Sequence, residues 1–406
     1  MKRVAILLYA NHFDAFYKKE LGIDEVTYLK EYRNEWSIYF FDGLKKAGIN
    51  PILYIFSKNP TFYGFHKTED GYDVRFLSLK TWYDMIGERI SRKLWHLFFK
   101  YPLLVPSVKY FDELINIQAG IEALKTAIQE DNIDLLYVQE YWTARFDFLV
   151  HKLKMPIIGA DHGGKSTYSI DWLKKRALPK AYKITCQTPE EVEKVRGYKA
   201  EAMYLPNPVD TDFFSLPQTL IKTSQRKTLL IVARLNNTQK RISDLIHSLT
   251  YLEESWSLDI IGSGEDAQML EKLVSNLKLN HRVNFLGFVS AADKKREKYR
   301  NCGVYVMPSA SEGLPLSALE AMSCGAPIVS SDIDAFKRIV QNGVNGIRVP
   351  VGDPSRIATA ILKCFENRET YGLASREIVL NTHSNKTYFT NLAKLIEDSV
   401  LPNSSV

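Results

Sequence analysis

The stretch Ser311-Glu-Gly-Leu-Pro-Leu-Ser-Ala-Leu-Glu-Ala321 predicts a loop that turns into a helix. Gly313 permits unusual backbone angles, and Pro315 suits a first helical turn, where its missing N–H leaves no donor unpaired. Leu316 and Leu319 then recur at helical spacing and predict a buried helix face. A helix that begins beside an open loop offers backbone N–H groups to an anion.

Two carboxylates lie on either side of this junction. With Glu312 in the loop and Glu320 in the helix, the expected separation is ~10–15 Å from the rise per residue. That separation is too large for a glycosidase acid/base pair, which needs about 5–9.5 Å. It suits the two ends of one elongated ligand, with a phosphate near the N–H groups of Gly313 and Leu314.

Composition limits the class of protein. At 406 residues the chain predicts two domains, and 45% apolar with 25% charged residues is typical of a soluble globular protein. The short apolar run at 4–9 predicts a buried first strand rather than a signal peptide, and no apolar run is long enough to cross a membrane. Four cysteines without metal-ligand spacing favour a reducing compartment.

The net charge of +6 is spread evenly, with 30 basic and 27 acidic residues in 1–210 and 23 and 20 in 211–406. An even distribution argues against a nucleic-acid-binding half. Residues 89–105 are the local exception, because they mix Arg and Lys with Trp, Phe and Leu. Two interpretations stay open: peripheral contact with an anionic membrane, or a helix packed on its own sheet with basic side chains reaching water.

Strand and helix signals alternate along the chain. The predicted strands of the first half are 4–9, 50–56, 135–138, 156–159 and, as the last one, 182–187; those of the second half are 227–233, 257–261, 283–286, 304–307, 328–331 and 346–349. Such alternation predicts α/β structure with parallel sheets covered on both faces. We therefore expect two Rossmann-like, doubly wound domains facing a central cleft.

The predicted boundaries follow this alternation. An N-terminal Rossmann-like domain spans 1–207, a polar linker spans 208–226, and a C-terminal Rossmann-like domain spans 227–384. Residues 385–406 are expected to form a helix that crosses back to the first domain.

Ligands of such sheets bind at the carboxyl ends of the strands. After the first strand of the second half come Arg234 and Lys240, two cations suited to a diphosphate, Arg through a bidentate fork and Lys as a point charge. Gly262 follows the next strand, where a glycine lets a ligand approach the backbone or merely makes a tight turn.

Together these segments resemble the retaining GT-B glycosyltransferases of family 4. The resemblance is carried by Glu312 and Glu320 with seven residues between them, by the following 321–331 and 342–350, and by Arg234-Leu with Lys240. Two departures stand out: the Arg–Lys interval is one residue longer than usual, and Arg241 replaces the small residue after Lys240. The loop Tyr9–Phe16 also has no glycine, unlike many relatives.

The resemblance implies transfer of a sugar from a nucleotide-diphosphate donor, a UDP- or GDP-sugar, to an acceptor hydroxyl with retention of configuration and without metal or cofactor. Glu312 would hold donor-sugar hydroxyls and Glu320 ribose hydroxyls, while Lys240 or Arg241 would accompany Arg234 at the diphosphate. The other implied donor-side and catalytic residues are Gly262, Phe288, Val289, Gly313, Leu314 and His162.

Acceptor contacts are expected in the first domain, at Asn11, His12, Glu140, Asp161 and Lys165. The acceptor itself is not identified; a lipid-linked one at the inner face of the membrane would follow if 89–105 binds membrane, and the chain is otherwise expected in the cytoplasm. Two alternative functions remain: another sugar-phosphate enzyme of GT-B fold, such as a phosphorylase or epimerase, and a non-catalytic nucleotide-sugar-binding protein.

Overall fold

The computed structural model describes residues 2–8, 12–19, 22–30, 36–80, 105–161, 170–216, 226–289 and 291–399. The chain divides into two compact units. The first unit comprises Met1–Pro206 and Lys386–Val406, and the second unit comprises Asn207–Asn385.

The first unit contains an eight-stranded sheet, ordered β3-β4-β2-β1-β5-β6-β7-β8, in which all pairs are parallel except the antiparallel edge pair β3–β4. Its strands are β1 Arg3–Leu7, β2 Asn50–Ser57, β3 Gly64–Lys67, β4 Asp73–Ser78, β5 Leu135–Gln139, β6 Ile157–Ala160, β7 Lys183–Cys186 and β8 Ala202–Tyr204.

Helices cover both faces of this sheet. They are α1 Glu25–Lys30, α2 Trp36–Lys46, α3 Val105–Glu130, α4 Ala144–Lys152, α5 Asp171–Ala177, α6 Pro189–Gly197 and α15 Asn385–Glu397, with a π-helical turn Asp14–Lys18 and 3₁₀ turns Pro60–Phe62 and Leu178–Lys180. Alternate residues of β1 enter two separate cores, Ala5 and Leu7 on one face and Val4 and Ile6 on the other. This two-sided burial explains the continuous apolar run of β1.

The second unit contains a six-stranded, fully parallel sheet ordered β11-β10-β9-β12-β13-β14. Its strands are β9 Thr228–Val232, β10 Ser257–Ile261, β11 Val283–Phe285, β12 Val304–Met307, β13 Ile328–Ser331 and β14 Gly346–Val349. Its helices are α7 Asn237–Lys240, α8 Ile242–Ser248, α9 Ala267–Asn276, α10 Ala292–Asn301, α11 Leu316–Ser323, α12 Asp334–Lys337, α13 Pro354–Glu366 and α14 Arg368–Thr382, with a 3₁₀ turn Leu249–Tyr251. Cores again lie on both faces.

The observed strands correct the sequence prediction in the first unit. The strand predicted at 182–187 is β7, but it is not the last strand of this half, since β8 follows it at Ala202–Tyr204. The pair β3 and β4 was not predicted at all. β3 alternates half-buried and exposed residues at the sheet edge, and β8 is three residues long, so neither has the apolar run that marks a central strand.

The end of the chain packs with the first unit. Tyr388, Phe389 and Leu392 of α15 join the core that contains Phe40 and Leu44 of α2. Gly43 permits this contact, because a Cβ there would lie 2.0 Å from the Phe389 ring.

The start of the predicted linker 208–226 is packed onto the second unit. Phe214 is buried, and Arg376 of α14 donates to its carbonyl at 2.6 Å and to that of Thr211 at 2.8 Å. The remainder, 217–225, lies outside the described residues. No described helix combines the length and the apolar character that a membrane span requires.

Candidate functional site

The second sheet changes direction between β9 and β12. From β9 the chain proceeds to β10 and β11 on one side, and then returns to place β12, β13 and β14 on the other. In open parallel sheets the carboxyl ends at such a switch point form the crevice where ligands bind. Arg234 and Lys240 follow β9, and Glu312 follows β12. The predicted cations and the predicted carboxylate therefore flank the switch point.

Glycines hold the strand-end loops together. Gly262 has φ 146°, and a Cβ there would lie 1.9 Å from the Ala233 carbonyl oxygen; a Cβ on Gly264 would lie 2.5 Å from that of Leu235. Because these contacts are with backbone atoms, no side chain fits at either position. The Leu235 N–H also donates to the Ser263 carbonyl at 2.9 Å. Both glycines thus serve contact between loops, which fixes the edge from which Arg234 projects.

Arg234 and Lys240 differ in exposure and in side-chain partners. Arg234 is exposed and has no side-chain hydrogen bond or ion pair with the described residues. Lys240 ends the short helix α7, and its Nζ lies 2.6 Å from Glu312 Oε1. The two side chains are 14% and 6% exposed. The structure thus brings together a cation and a carboxylate that the sequence separates by 72 positions.

Arg241 has a structural environment of its own. It links α7 to α8 with φ 53° and ψ 37°, in the left-handed region that favours glycine. Its guanidinium forms two hydrogen bonds with Asp244, at 2.8 and 3.1 Å. The left-handed backbone accounts for the small residue expected here, and the Asp244 pair keeps this side chain occupied.

The predicted loop-to-helix junction is present, with α11 beginning at Leu316. Pro315, which was expected in the first helical turn, is instead the N-cap residue one position earlier. The backbone N–H groups of Gly313 and Leu314 donate no hydrogen bond within the described part of the chain. Leu319 is fully buried, whereas Gly313 is exposed. The junction therefore presents open donors beside Glu312, as an anion site requires.

Glu320 lies about one turn into α11, four residues after its first residue, Leu316. Its Oε2 accepts a hydrogen bond from the Tyr299 hydroxyl at 2.7 Å, and its Oε1 lies 3.8 Å from Lys295 Nζ. Burial raises the pKa of Glu320 above its ordinary value, and the Lys295 charge and the Tyr299 hydrogen bond oppose that rise. Sequence analysis missed Lys295 and Tyr299, for which the only signal is their four-residue spacing on one face of α10.

The turn after β11 presents an open apolar surface. Gly287 has φ 67°, and its carbonyl accepts a hydrogen bond from the Gly262 N–H at 2.9 Å. Phe288 is 65% exposed, while Val289 packs partly against the core that contains Leu319. The predicted base-contacting pair therefore lies on the same sheet edge as Gly262.

In the first unit, the predicted residues that are described lie at strand ends. His12 follows β1 and is mostly buried, with Nδ1 3.7 Å from Asp14 Oδ2. Glu140 follows β5 in a left-handed conformation, φ 62°. Asp161 follows β6, is buried, and its carbonyl accepts from the Gln187 side chain at 2.5 Å. Asn11, His162, Lys165 and residues 89–104 lie outside the described residues.

A buried lysine organises the loop after β5. Lys174 is fully buried and donates to the carbonyls of Tyr141 and Thr143 at 2.8 and 3.0 Å and to Asp147 Oδ1 at 2.8 Å. Burial lowers the pKa of Lys174, and burial raises that of Asp147. This loop, unlike the one after β9, is held by an ion pair closed to solvent.

A second acid lies near Asp161. Glu191 accepts hydrogen bonds from the Tyr141 hydroxyl at 2.5 Å and from the Gln187 N–H at 2.7 Å. Burial, with the nearby charge of Asp161, raises the pKa of Glu191 to about 7. Sequence analysis missed Glu191, which occupies a helix first turn where a solvated acid is the ordinary expectation.

Two Asp-x-Asp sequences occur, at 210–212 and 332–334. Asp210 caps the turn that follows it through the N–H groups of Asp212 and Phe213, and Asp332 pairs with Arg348 at 3.0 Å. Within the described ranges, His, Cys, Asp and Glu form no group of three or more placed to hold a metal ion.

Comparison with known proteins gives a family-model match for one segment of the chain. Residues 213–376 match the model of glycosyl transferases group 1. A phosphatidyl-myo-inositol mannosyltransferase of Mycobacterium leprae is 32% identical over 188 residues, which are 44% of this chain and 49% of that protein. A poly(glycerol-phosphate) alpha-glucosyltransferase of Bacillus subtilis is 25% identical over 95% of this chain and 52% of its own length. The chain thus spans about half the length of these curated relatives.

Comparison with solved structures covers both units. The crystal structure of HepE from Anabaena in complex with UDP-glucose matches with a TM-score of 0.67 and 14% identity, covering 98% of this chain and 100% of that one. This match confirms the predicted GT-B fold class. Within that fold, the match to the glycosyl transferases group 1 model is confined to residues 213–376.

Proposed function

We propose that this protein is a glycosyltransferase that moves a sugar from a UDP- or GDP-sugar to an acceptor hydroxyl with retention of configuration. The observation that carries the proposal is the Lys240–Glu312 ion pair at the switch point of the second sheet, together with the exposed Arg234 after the same strand, which has no side-chain partner among the described residues. The similarity to group 1 glycosyltransferases and to a UDP-glucose-binding structure supports a nucleotide-sugar donor.

The diphosphate of the donor is assigned to Arg234, Lys240 and the open N–H groups of Gly313 and Leu314. Arg offers a bidentate contact and Lys a point charge, and the backbone donors lie at the start of a helix. Lys240 is preferred over Arg241, because Arg241 is held by Asp244 and has a backbone suited to glycine.

Donor entry changes the partner of Glu312. In the structure its carboxylate neutralises Lys240 at 2.6 Å. A diphosphate brings negative charge to Lys240, so Glu312 is released to accept hydrogen bonds from the donor-sugar hydroxyls. Phe288 and Val289 are proposed to contact the base and Glu320 the ribose hydroxyls, with Gly262 beside the nucleotide.

The reaction proposed here needs no enzyme nucleophile. The bond between the anomeric carbon and the β-phosphate oxygen breaks, and the acceptor oxygen bonds to the same carbon on the same face. The acceptor proton passes to an oxygen of the leaving diphosphate. Arg234 and Lys240 stabilise the negative charge that develops on that diphosphate, an electrostatic contribution that is typically large in catalysis. His162 is proposed to contact the donor sugar or the acceptor hydroxyl.

The first unit is proposed to bind the acceptor, through Asn11, His12, Glu140, Asp161 and Lys165. The named relatives are a phosphatidyl-myo-inositol mannosyltransferase and a poly(glycerol-phosphate) alpha-glucosyltransferase, which supports a role in glycan, glycolipid or glycoconjugate synthesis. Four free cysteines support a cytoplasmic location. Peripheral contact of 89–105 with the inner face of the membrane remains part of the proposal for a lipid-linked acceptor, and no nucleic-acid partner or cofactor is proposed.

The proposal is tested by donor hydrolysis over a panel of UDP- and GDP-sugars, with and without EDTA. We expect one donor to be turned over slowly in water without a metal requirement, and Glu312→Gln to reduce that rate. Lys227→Ala is the matched control, because Lys227 stands at the amino end of the strand β9 that Arg234 follows, paired with Glu253. Binding without turnover, even with acceptors, would indicate the non-catalytic alternative, and transfer of a sugar from a glycan to orthophosphate, which yields a sugar phosphate, would indicate a phosphorylase.

A further inference from the structure

We propose that Tyr299 is a positioning residue for the nucleotide-sugar donor and acts by holding one carboxylate oxygen of Glu320. This inference rests on the proposed function, because it assigns a task to a carboxylate of that same site. Tyr299 lies on α10, outside every motif that carries the family resemblance.

The position of the Tyr299 side chain is fixed by packing. Only 1% of the residue is exposed, and its ring packs edge-to-face with Phe214 and Tyr305, at centroid distances of 6.0 and 5.8 Å. Its hydroxyl donates to Glu320 Oε2 at 2.7 Å. A hydroxyl carried by a ring with no freedom to rotate away restricts the carboxylate to one orientation.

The other carboxylate oxygen is left for a ligand. Oε1 of Glu320 lies 3.8 Å from Lys295 Nζ, which is beyond hydrogen-bond distance, and it accepts no hydrogen bond from the described residues. Lys295 stands one turn before Tyr299 on α10, so both groups approach Glu320 from the same helix. One oxygen therefore has a hydrogen-bond donor, and the other keeps its lone pairs with which it can accept from a ligand hydroxyl.

The same hydrogen bond favours the ionised carboxylate. Burial raises the pKa of Glu320, and Lys295 and Tyr299 counteract that rise. Burial also raises the pKa of Tyr299 well above its ordinary value, so its hydroxyl keeps its proton and remains a donor. The other titratable groups packed around this carboxylate are Tyr305 on β12 and Cys324 after α11, whose pKa values burial also raises. From α14, Arg376 is turned away to Ser323 and Phe214.

The test compares wild type with Tyr299→Phe, which retains the ring and removes the hydroxyl. Losing one hydrogen bond to a charged group is expected to raise donor KM about tenfold while kcat stays near the wild-type value. The acid limb of kcat/KM should move to higher pH by about one unit, because the carboxylate has lost a donor that favoured ionisation. Wild-type KM and pH profile in the folded variant would overturn the proposal.

Tyr305→Phe is the matched control. This neighbouring buried tyrosine donates to Ser317 at 3.0 Å rather than to Glu320. We expect its donor KM and pH profile to match wild type; equal losses in both variants, with equally lowered melting temperatures, would reduce Tyr299 to a packing residue.

A measurement without ligand separates this inference from the proposed function. ¹³C NMR of glutamate-labelled protein reports the pKa of Glu320 whether or not the chain turns over a sugar donor. A rise of about one unit in Tyr299→Phe supports the positioning role. An unchanged value refutes it, whereas wild type that hydrolyses no nucleotide sugar refutes only the proposed function.

Discussion

The carboxyl edges of the two sheets are built from different chemistry, although both follow parallel strands. At the second edge, glycines bring bare backbone into contact, Arg234 projects with no described partner, and Lys240 meets Glu312 in a partly open pair. At the first edge, Tyr141 and Trp142 are buried, and the fully buried Lys174 pairs with Asp147, whose side chain is 6% exposed. On the proposed function, the second edge keeps its charges for a ligand, whereas at the first edge Lys174 fixes the edge's own loop through the carbonyls of Tyr141 and Thr143.

The two lysine–carboxylate pairs make this difference measurable. Both have short contacts, 2.6 Å for Lys240–Glu312 and 2.8 Å for Lys174–Asp147. The Lys174 side chain is fully buried, so breaking its pair leaves a charge away from water. Lys240 retains access to solvent and therefore can exchange partners.

The largest effect is expected at the closed pair. Lys174→Met should lower the free energy of unfolding by about 3–5 kcal/mol, because Asp147 is left buried without its cation and two carbonyls lose their donor. Lys175→Met is the control: Lys175, the next residue, pairs with Asp171 at the surface, and its loss should change stability by less than about 0.5 kcal/mol. Chemical denaturation of both variants measures the difference. Equal free energies of unfolding for the two variants would contradict a structural role of the Lys174–Asp147 pair at the first edge.

Arg234→Ala should affect turnover and leave folding unchanged. Loss of one charge-assisted contact to the leaving diphosphate is expected to reduce transition-state stabilisation by about 2–4 kcal/mol, measured as kcat/KM with the donor found by the panel. Stability should stay near wild type, since the exposed side chain has no described partner. Undiminished turnover in the folded variant would contradict the diphosphate assignment.

Glu191, at the first edge, should make the free energy of unfolding depend on pH. Its pKa is about 7 in the folded protein against an ordinary 4.5, so the folded state binds the proton more tightly. Stability from this group is present below about pH 4.5 and is lost as pH rises towards 7, by about 1–3 kcal/mol. The difference in unfolding free energy between wild type and Glu191→Gln, measured from pH 4 to 8, should follow this course. A difference that is constant with pH would refute the raised pKa.

The smallest effect is expected for Arg241→Gly. Relief of the left-handed backbone, worth about 1–2 kcal/mol, is opposed by the loss of the Asp244 pair and by the greater entropy of an unfolded glycine. Net stability should change by no more than about 1 kcal/mol. Donor kinetics should be unchanged, whereas Lys240→Ala should impair them; the reverse pattern would make Arg241 the second cation.

Most central strands could be predicted from the sequence, because they are buried on both faces and therefore appear as continuous apolar runs. Runs such as Val304–Met307 and Ile328–Ser331 have the bounds that were predicted. Edge strands β3 and β8 lack such runs and were missed. The Lys240–Glu312 and Tyr299–Glu320 contacts could not be predicted from the sequence for another reason. Each contact joins two different elements, and the residue pattern within one helix or loop does not show which element packs against it.

Calorimetric titration of UDP and GDP into the whole chain tests the central claim most directly. The account predicts that wild type binds one of them, that Arg234→Ala weakens binding by at least about tenfold, and that Lys227→Ala at the other end of β9 leaves it unchanged. Equal binding by wild type and Arg234→Ala, or no binding of either nucleotide by folded wild type, would contradict the assignment of the second strand edge as the donor site.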